Sequence, residues 1–191
     1  MKELFIGCSK EGLSYARKLK ELLNERLQKY NIKCVLWNDD GVFQVGKTTI
    51  ESLYKKANEL KRSEGYAVML MTPDDKIEFR GKTRYAPRDN VVFELGLFIG
   101  CLGRNRTYCI APSNNKMRMM SDWFGVTNAT YQYTKRPREE SLEERLILGV
   151  NRIVKTIDGV ETPKENNNSM NINIFQIIEN NIEKNRIKEG G

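Results

Sequence analysis

Residues 3–37 read ELFIGCSKEGLSYARKLKELLNERLQKYNIKCVLW, and this stretch decides the fold class. It begins with a short apolar run over 3–7 that ends at a glycine, and it closes with a second apolar run over 33–37. Between the two runs, leucine and alanine recur at the three- and four-residue spacing of an amphipathic helix. The stretch therefore predicts strand, helix and strand, with the helix over 10–29 and Ser9 as its N-cap.

The same alternation continues along the chain. It predicts further strands over 65–71, 106–111 and 129–133, and further helices over 48–62, 88–102 and 139–158. Thr48 or Thr49 is placed to cap the second helix, and long loops are expected over 38–46 and 74–87. This order favours an α/β fold with a five-stranded, mostly parallel sheet and helices on both faces. In such sheets, ligands bind beyond the carboxyl ends of the strands.

The composition changes after Gly159. Residues 1–159 carry the alternating pattern, whereas residues 160–191 begin with a polar stretch that contains three consecutive asparagines. Such a stretch is typical of a linker. Apolar positions return over 174–187, where a short helix is expected. We therefore expect one α/β domain, followed by a linker and a helix that either packs back on the domain or leads into a partner module.

Composition excludes several classes of function. The 191-residue chain carries a formal charge of +7, but its basic residues are interleaved with glutamates, which favours solvated helix faces over a nucleic-acid site. With no histidine and no C-x-x-C pair, the chain offers no zinc-binding spacing, no Ser-His-Asp triad and no histidine base. No apolar run approaches the roughly 18 residues of a membrane span. We expect a cytoplasmic protein with reduced cysteines and without a metal or a membrane partner.

Two segments place small and polar residues at the ends of predicted strands. FIGCSKEG at 5–12 leads into a helix, where small side chains admit a ligand and backbone N–H groups attract phosphate; a tight turn alone also accounts for the pattern. WNDDGVFQVGKTT at 37–49 holds Phe43 between two glycines. Such an aromatic residue suits a lid or a stacking contact, or else a plug that fixes the loop to the domain.

A third segment, PRDNVVFELG at 87–96, places an acid among apolar residues. Asn90 and Glu94 are four residues apart and share one face of the predicted helix. A carboxylate in apolar surroundings costs several kcal/mol unless it is paired or functional, so Glu94 is a candidate site residue. The alternative is a structural glutamate that is satisfied by Arg88 or by backbone groups.

Four stretches resemble a known family: FIGCSKEG, LWNDDGVFQVGKTTIESL, VMLMTPDD and PRDNVVFELGLFIGCLGR. They are similar to the predicted nucleotide-binding TIR-like domains of bacteria, and closely to those fused to STING or SAVED sensors in cyclic-oligonucleotide antiphage systems. The resemblance covers roughly residues 3–158. It implies a flavodoxin-like TIR fold and hydrolysis of NAD to nicotinamide and ADP-ribose or a cyclic form. It also implies self-association of TIR domains, triggered when a sensor domain binds a cyclic nucleotide.

The resemblance also assigns roles by position. The family's catalytic glutamate falls on Glu94, its mobile loop falls on 39–47, and its Arg-Asp-Asn motif falls on 88–90. Better-known eukaryotic TIR enzymes carry a tryptophan where this chain has Asn90, so a stacking role is expected of Trp37 or Phe43. The substrate-binding residues implied in this way are Gly7, Cys8, Ser9, Trp37, Asp40, Phe43, Lys47, Arg88 and Asn90.

The chemistry of NAD cleavage agrees with this composition. NAD is expected as the substrate, with no cofactor and no metal. Its nicotinamide–ribose bond breaks through an oxocarbenium-like state, as in glycoside cleavage. Because nicotinamide leaves as a neutral molecule, one carboxylate suffices and no histidine is needed. Two alternatives stay open: a non-catalytic TIR module that signals by homotypic assembly, and an enzyme similar to nucleoside deoxyribosyltransferases.

Overall fold

The computed structural model of the chain describes residues 1–42, 48–113, 117–119 and 127–161. Met1–Glu161 forms one compact unit. Its strands are β1 (Lys2–Cys8), β2 (Ile32–Leu36), β3 (Tyr66–Leu70), β4 (Asp75–Phe79), β5 (Lys82–Ala86), β6 (Thr107–Pro112) and β7 (Thr127–Tyr131). Its α-helices are α1 (Leu13–Leu27), α2 (Thr49–Arg62), α3 (Asp89–Leu102) and α4 (Leu142–Glu161).

The main sheet is parallel throughout and has the strand order β2-β1-β3-β6-β7. This is the flavodoxin-like order, in which β1 has its chain neighbours β2 and β3 on either side. The predicted fold class is confirmed. Every residue of β3 is buried, because a central parallel strand is covered by helices on both faces. The strand ends differ from the predicted ones by one or two residues, as in β7 at 127–131.

Helices cover both faces of this sheet, as predicted. α1 and α4 pack on one face, where Leu19 and Ile153 belong to one buried cluster. α2 and α3 pack on the other face, where Leu53 lies in a second cluster and Phe98 stacks on Phe5 with ring centroids 4.9 Å apart. Because each helix runs back along the strand it follows, α2 and α3 both begin at the carboxyl edge of the sheet.

The stretch 74–87, predicted to be a loop, contains an antiparallel hairpin formed by β4 and β5. Arg80 and Gly81 at its turn have φ angles of 51° and 70°. Two consecutive left-handed residues give a two-residue turn whose twist matches that of the flanking strands. The loop prediction was wrong because the hairpin alternates half-exposed with fully exposed side chains, so its apolar signal is weak.

The helix starts match the sequence prediction in one case and contradict it in another. α1 begins at Leu13, and Gly12 rather than Ser9 is its N-cap. The Ser9 prediction was wrong because residues 9–12 form a separate turn, in which the Gly12 N–H is shared by the carbonyl and the hydroxyl of Ser9. At α2 the prediction is confirmed: Thr48 accepts the Glu51 N–H, and the Glu51 carboxylate accepts the Thr48 N–H.

The last described helix extends slightly past the predicted boundary. α4 follows a 3-10 turn at Glu139–Ser141 and runs to Glu161, whose carboxylate accepts hydrogen bonds from Lys2 and from the Tyr66 hydroxyl. Residues 162–191 lie outside the described residues, so the linker and terminal helix stay a prediction. Across the ranges that the structure describes, no helix combines the length and the apolar content needed to span a bilayer.

Candidate active site

One cavity at the carboxyl edge of the sheet brings most of the predicted site residues together. It has a volume of about 470 Å³, within the usual range for small-molecule sites. It lies where β1 ends and where α2 and α3 begin, at the topological switch point of the sheet. Its lining consists of Cys8, Ser9, Lys10, Glu11, Trp37, Thr49, Arg88, Asn90, Val91 and Glu94.

Glu94 contributes a carboxyl group to the lining of this cavity. The buried side of α3 packs Val91, Leu95 and Phe98 against the sheet, and Glu94 sits beside that side, largely buried. Burial raises the pKa of its carboxyl from the ordinary 4.5 to about 7. Within the part of the chain that the structure describes, no hydrogen bond or ion pair compensates this burial. A carboxyl of this kind can act as an anion or as an acid near neutral pH.

Gly7 makes room for that carboxylate. A Cβ atom at this position would lie 3.2 Å from Glu94 Oε2 and 2.4 Å from Met69 Sδ. The second distance is far below van der Waals contact, so even alanine would displace its neighbours. A glycine at the end of the first apolar run therefore lets the Met69 side chain and the Glu94 carboxylate keep their positions beside β1.

Cys8 and Trp37 form one wall of the cavity. The indole Nε1 donates a hydrogen bond to Cys8 Sγ at 3.2 Å. Burial raises the pKa of the Cys8 thiol to about 12, although the indole hydrogen bond opposes this shift. The thiol therefore stays protonated at neutral pH and does not act as a nucleophile. Its hydrogen bond with the indole helps to fix the orientation of the tryptophan ring that lines the cavity.

Ser9 is held by a short chain of hydrogen bonds. Thr72 Oγ1 donates to the Asp74 carboxylate at 2.9 Å, and Ser9 Oγ lies 2.9 Å from Thr72 Oγ1. The hydroxyl proton of Thr72 goes to the carboxylate, so the Ser9 hydroxyl directs its own proton into the same cluster, to Thr72 or to the Asp74 carboxylate. Ser9 Oγ accepts from the Gly12 N–H, and only its remaining lone pair can face a ligand. Ser9 is thus placed to accept from a ligand O–H or N–H, not to bind phosphate.

Arg88 lies at the mouth of the cavity, and its ion pairs are with Glu11 and Asp75 and not with Glu94. Its Nη2 atom is 2.7 Å from Glu11 Oε1, and its Nε atom is 3.6 Å from Asp75 Oδ2. The alternative in which Arg88 neutralises Glu94 is therefore not observed. With 41% of its side chain exposed, Arg88 can still reach an anionic group of a ligand.

The other predicted residues divide into three groups. Asn90 lines the cavity one helical turn before Glu94, as expected from their spacing. Asp40 is exposed and is not among the residues that line this cavity, so its contact with the substrate stays a prediction. The neighbouring Asp39 turns back instead, to Lys20 and the Leu36 N–H. Phe43 and Lys47 lie outside the described residues and stay predictions.

Sequence reasoning missed four residues of the lining. Lys10 and Glu11 belong to the FIGCSKEG segment and follow directly on the predicted turn, so extending the candidate set along that segment would have included them. Thr49 carried a similar signal as the first residue of a capped helix. Val91 carried none, because an apolar residue in an apolar helix indicates a core position.

The lined cavity has a definite chemical character. It combines the Glu94 carboxyl, whose pKa burial raises to about 7, with a second carboxylate, two hydroxyl groups, an ammonium group, a guanidinium group and an indole wall. Among the residues that the structure describes, no cluster of cysteine and carboxylate side chains has the arrangement of a metal site. The cavity suits an organic ligand with hydroxyl groups, an aromatic ring and an anionic part, on which a single carboxylate acts.

Fold and cavity together define a flavodoxin-like α/β domain with a largely buried carboxyl, Glu94, in a cavity at the carboxyl edge of its sheet. The chain belongs to the family described as the CAP12/Pycsar effector protein TIR domain, whose family model matches residues 3–133. The TIR resemblance and the fold that it implies are therefore confirmed.

Named relatives share about a third of their residues with this chain. The Pycsar effector protein PaPycTIR of Pseudomonas aeruginosa is 36% identical over 161 residues, which are 84% of this chain and 48% of the relative. The CD-NTase-associated protein 12 of Flavobacterium daejeonense is 36% identical over 155 residues, which are 81% of this chain and 45% of the relative. The chain thus spans about half the length of these relatives.

Proposed function

We propose that this domain hydrolyses the nicotinamide–ribose bond of NAD, with Glu94 as the catalytic residue. One observation carries the proposal: a largely buried carboxyl, uncompensated by any described residue, lines a cavity at the switch point of the sheet. A structural glutamate would be expected to have a partner, because burying an unpaired carboxylate costs stability. Such a cost is commonly retained at sites where it serves function.

Cleavage of the nicotinamide–ribose bond requires few catalytic groups of the protein besides the Glu94 carboxylate. The bond between ribose C1′ and the nicotinamide nitrogen breaks with its electron pair on nitrogen, and neutral nicotinamide leaves. The ionised Glu94 stabilises the positive charge that develops on the ribose. Water then attacks C1′ and passes a proton to Glu94, which gives ADP-ribose. Attack by a group of the substrate itself would give a cyclic product instead.

The remaining lining residues have roles that fit this substrate. Ser9 accepts a hydrogen bond from a ribose hydroxyl or from the carboxamide N–H. Arg88 at the mouth binds the pyrophosphate, for which a guanidinium group is well matched. Trp37 offers its ring to the flat nicotinamide. Asn90 lies near enough to Glu94 on α3 to orient a hydroxyl beside it.

For the cellular role, we propose an effector of cyclic-nucleotide-triggered antiphage defence that acts by depleting NAD. The relatives are named as Pycsar effectors and as CD-NTase-associated proteins, which supports a cyclic nucleotide as the input. This chain spans about half of their length, and the proposal assigns cyclic-nucleotide sensing to a fused or partner sensor domain. Activation by self-association of TIR domains, as the family resemblance implies, completes the proposal.

A substrate panel tests the proposed function against its alternatives. The purified chain, at high concentration, is incubated separately with NAD and with a purine deoxynucleoside, and released base is measured by chromatography. Release of nicotinamide from NAD alone is the expected result. Release of base from the deoxynucleoside alone would establish the deoxyribosyltransferase-like alternative. No release from either substrate, even after the chain is fused to an oligomerising module, would favour the non-catalytic interaction module.

A further inference from the structure

A second cavity adjoins the one that contains Glu94. It has a volume of about 410 Å³ and is lined by Glu11, Pro73, Asp74, Tyr85, Tyr133 and Lys135. Glu11 belongs to both linings, and its carboxylate holds Arg88 at 2.7 Å. The ion pair between Glu11 and Arg88 therefore lies where the two cavities meet. A ligand that extends from one cavity into the other can place its anionic part beside the guanidinium group.

Two tyrosines give the second cavity aromatic walls of different kinds. Tyr133 is held by ring contacts to Tyr15, at 5.8 Å between centroids, and to Tyr131, at 6.4 Å. Tyr85 lies on the hairpin strand β5, is 43% exposed and makes no side-chain hydrogen bond within the described residues. The ring of Tyr133, fixed by its neighbours, and the exposed ring of Tyr85 suit a flat heterocycle, because any nucleobase can stack on an aromatic side chain.

The polar groups of the cavity complement a sugar. Asp74 accepts a hydrogen bond from Thr72, and its second oxygen, Oδ1, is buried without a partner among the described residues. Burial raises the pKa of this carboxyl, against the opposing hydrogen bonds. The exposed carboxylate of Glu11 supplies an acceptor for hydroxyl groups, and Asp74 and the exposed Lys135 line the same cavity. In dinucleotide-binding α/β folds, a carboxylate commonly accepts hydrogen bonds from the ribose hydroxyl groups.

We propose that the second cavity binds the adenosine half of a dinucleotide whose nicotinamide half lies at Glu94. This inference rests on the proposed function and adds the position of the second nucleotide. NAD consists of two nucleosides joined by a pyrophosphate. The structure offers two adjoining cavities of about 470 and 410 Å³, separated by the guanidinium group of Arg88. The tyrosines of the second cavity then supply the stacking that Asn90 cannot.

The test compares two substrates that share the bond to be broken. NAD carries the adenosine half, and nicotinamide mononucleotide lacks it. In Tyr85→Ala, kcat/KM for NAD is expected to fall at least about fivefold, mainly through KM, because base stacking is worth roughly 1–3 kcal/mol. The value for nicotinamide mononucleotide should not change. Tyr85→Phe keeps the ring and should behave as the wild type. Tyr54→Ala removes another exposed tyrosine, on α2, and serves as the matched control.

Direct binding separates this inference from the proposed reaction. Calorimetry with adenosine monophosphate should detect binding to the wild type and to Tyr54→Ala, and at least fivefold weaker binding to Tyr85→Ala. Equal losses on both substrates in Tyr85→Ala, or unchanged affinity for adenosine monophosphate, would overturn the second subsite and leave NAD cleavage standing. If NAD is not cleaved but adenosine monophosphate binds through Tyr85, the proposed reaction fails and the nucleoside site remains.

Discussion

Replacing Glu94 with glutamine should stabilise the folded protein at alkaline pH, although it should abolish activity. Burial raises the pKa of the Glu94 carboxyl from 4.5 to about 7, so the folded state binds a proton more tightly than the unfolded chain does. Stability is therefore lost as the pH rises through this range, because the buried group must ionise. At about 1.4 kcal/mol per pKa unit, the ionised carboxylate costs up to about 3 kcal/mol at pH 8 and below about 1 kcal/mol at pH 5.

Urea unfolding of the wild type and of Glu94→Gln at these two pH values measures the cost. The variant should be more stable at pH 8 by up to about 3 kcal/mol, and the gain should shrink to below about 1 kcal/mol at pH 5. Glu25→Gln, an exposed position on α1, controls for the general effect of removing a charge. A stability difference that is absent at pH 8, or that does not depend on pH, would refute the view that Glu94 is buried without compensation.

Three further predictions follow from the site. Gly7→Ala should destabilise the domain by about 1–3 kcal/mol and impair NAD cleavage in the folded fraction, because the new Cβ meets Met69 and approaches Glu94. Gly96→Ala is the matched control, since nothing lies within 4 Å of a Cβ at that position. Equal effects of the two substitutions would contradict the packing argument. Ser9→Ala should lower kcat/KM for NAD about fivefold, the value of one hydrogen bond, without changing inhibition by inorganic pyrophosphate; weaker inhibition would mean that Ser9 binds phosphate after all. Specific activity should rise steeply with protein concentration and on forced clustering, as expected if only a small fraction of unassembled domains has a catalytically competent site. Specific activity that stays constant over about a hundredfold dilution would falsify activation by assembly, although not the proposed reaction.

Much of the fold was predictable because its signals are local. The apolar runs at 3–7 and 65–71 are the central strands, and such runs indicate buried parallel strands. The helical spacing after each apolar run predicts a helix that connects two parallel strands. The rules for such crossover connections allow only a few sheet topologies. The hairpin at 75–86 was missed because it is defined by the pairing of β4 with β5 and by a two-residue turn, and because its strands give only a weak apolar signal.

The site was predictable in its centre but not at its edges. Glu94 stands out in the sequence because an acid within an apolar helix is rare, and the structure places it in the cavity. Asp39 and Asp40 are neighbours of the same residue type, so the sequence alone does not distinguish their roles. Only the fold shows that Asp39 turns back to Lys20. Tyr85 and Tyr133 are 48 positions apart in the sequence. Residues that meet through tertiary packing alone, as these two do at one cavity, leave no local signal.

The most direct test of the central claim is nicotinamide release from NAD by Glu94→Gln. Glutamine keeps the volume of the side chain and removes its charge, so a loss of activity reports on the carboxylate itself. Wild type and Glu25→Gln, at equal folded and assembled fractions, should release nicotinamide at the same rate, and Glu94→Gln should show less than about a tenth of it, which is about 1.4 kcal/mol of barrier. A Glu94→Gln variant that retains more than that tenth would contradict the account, because the reaction would then proceed without the carboxylate.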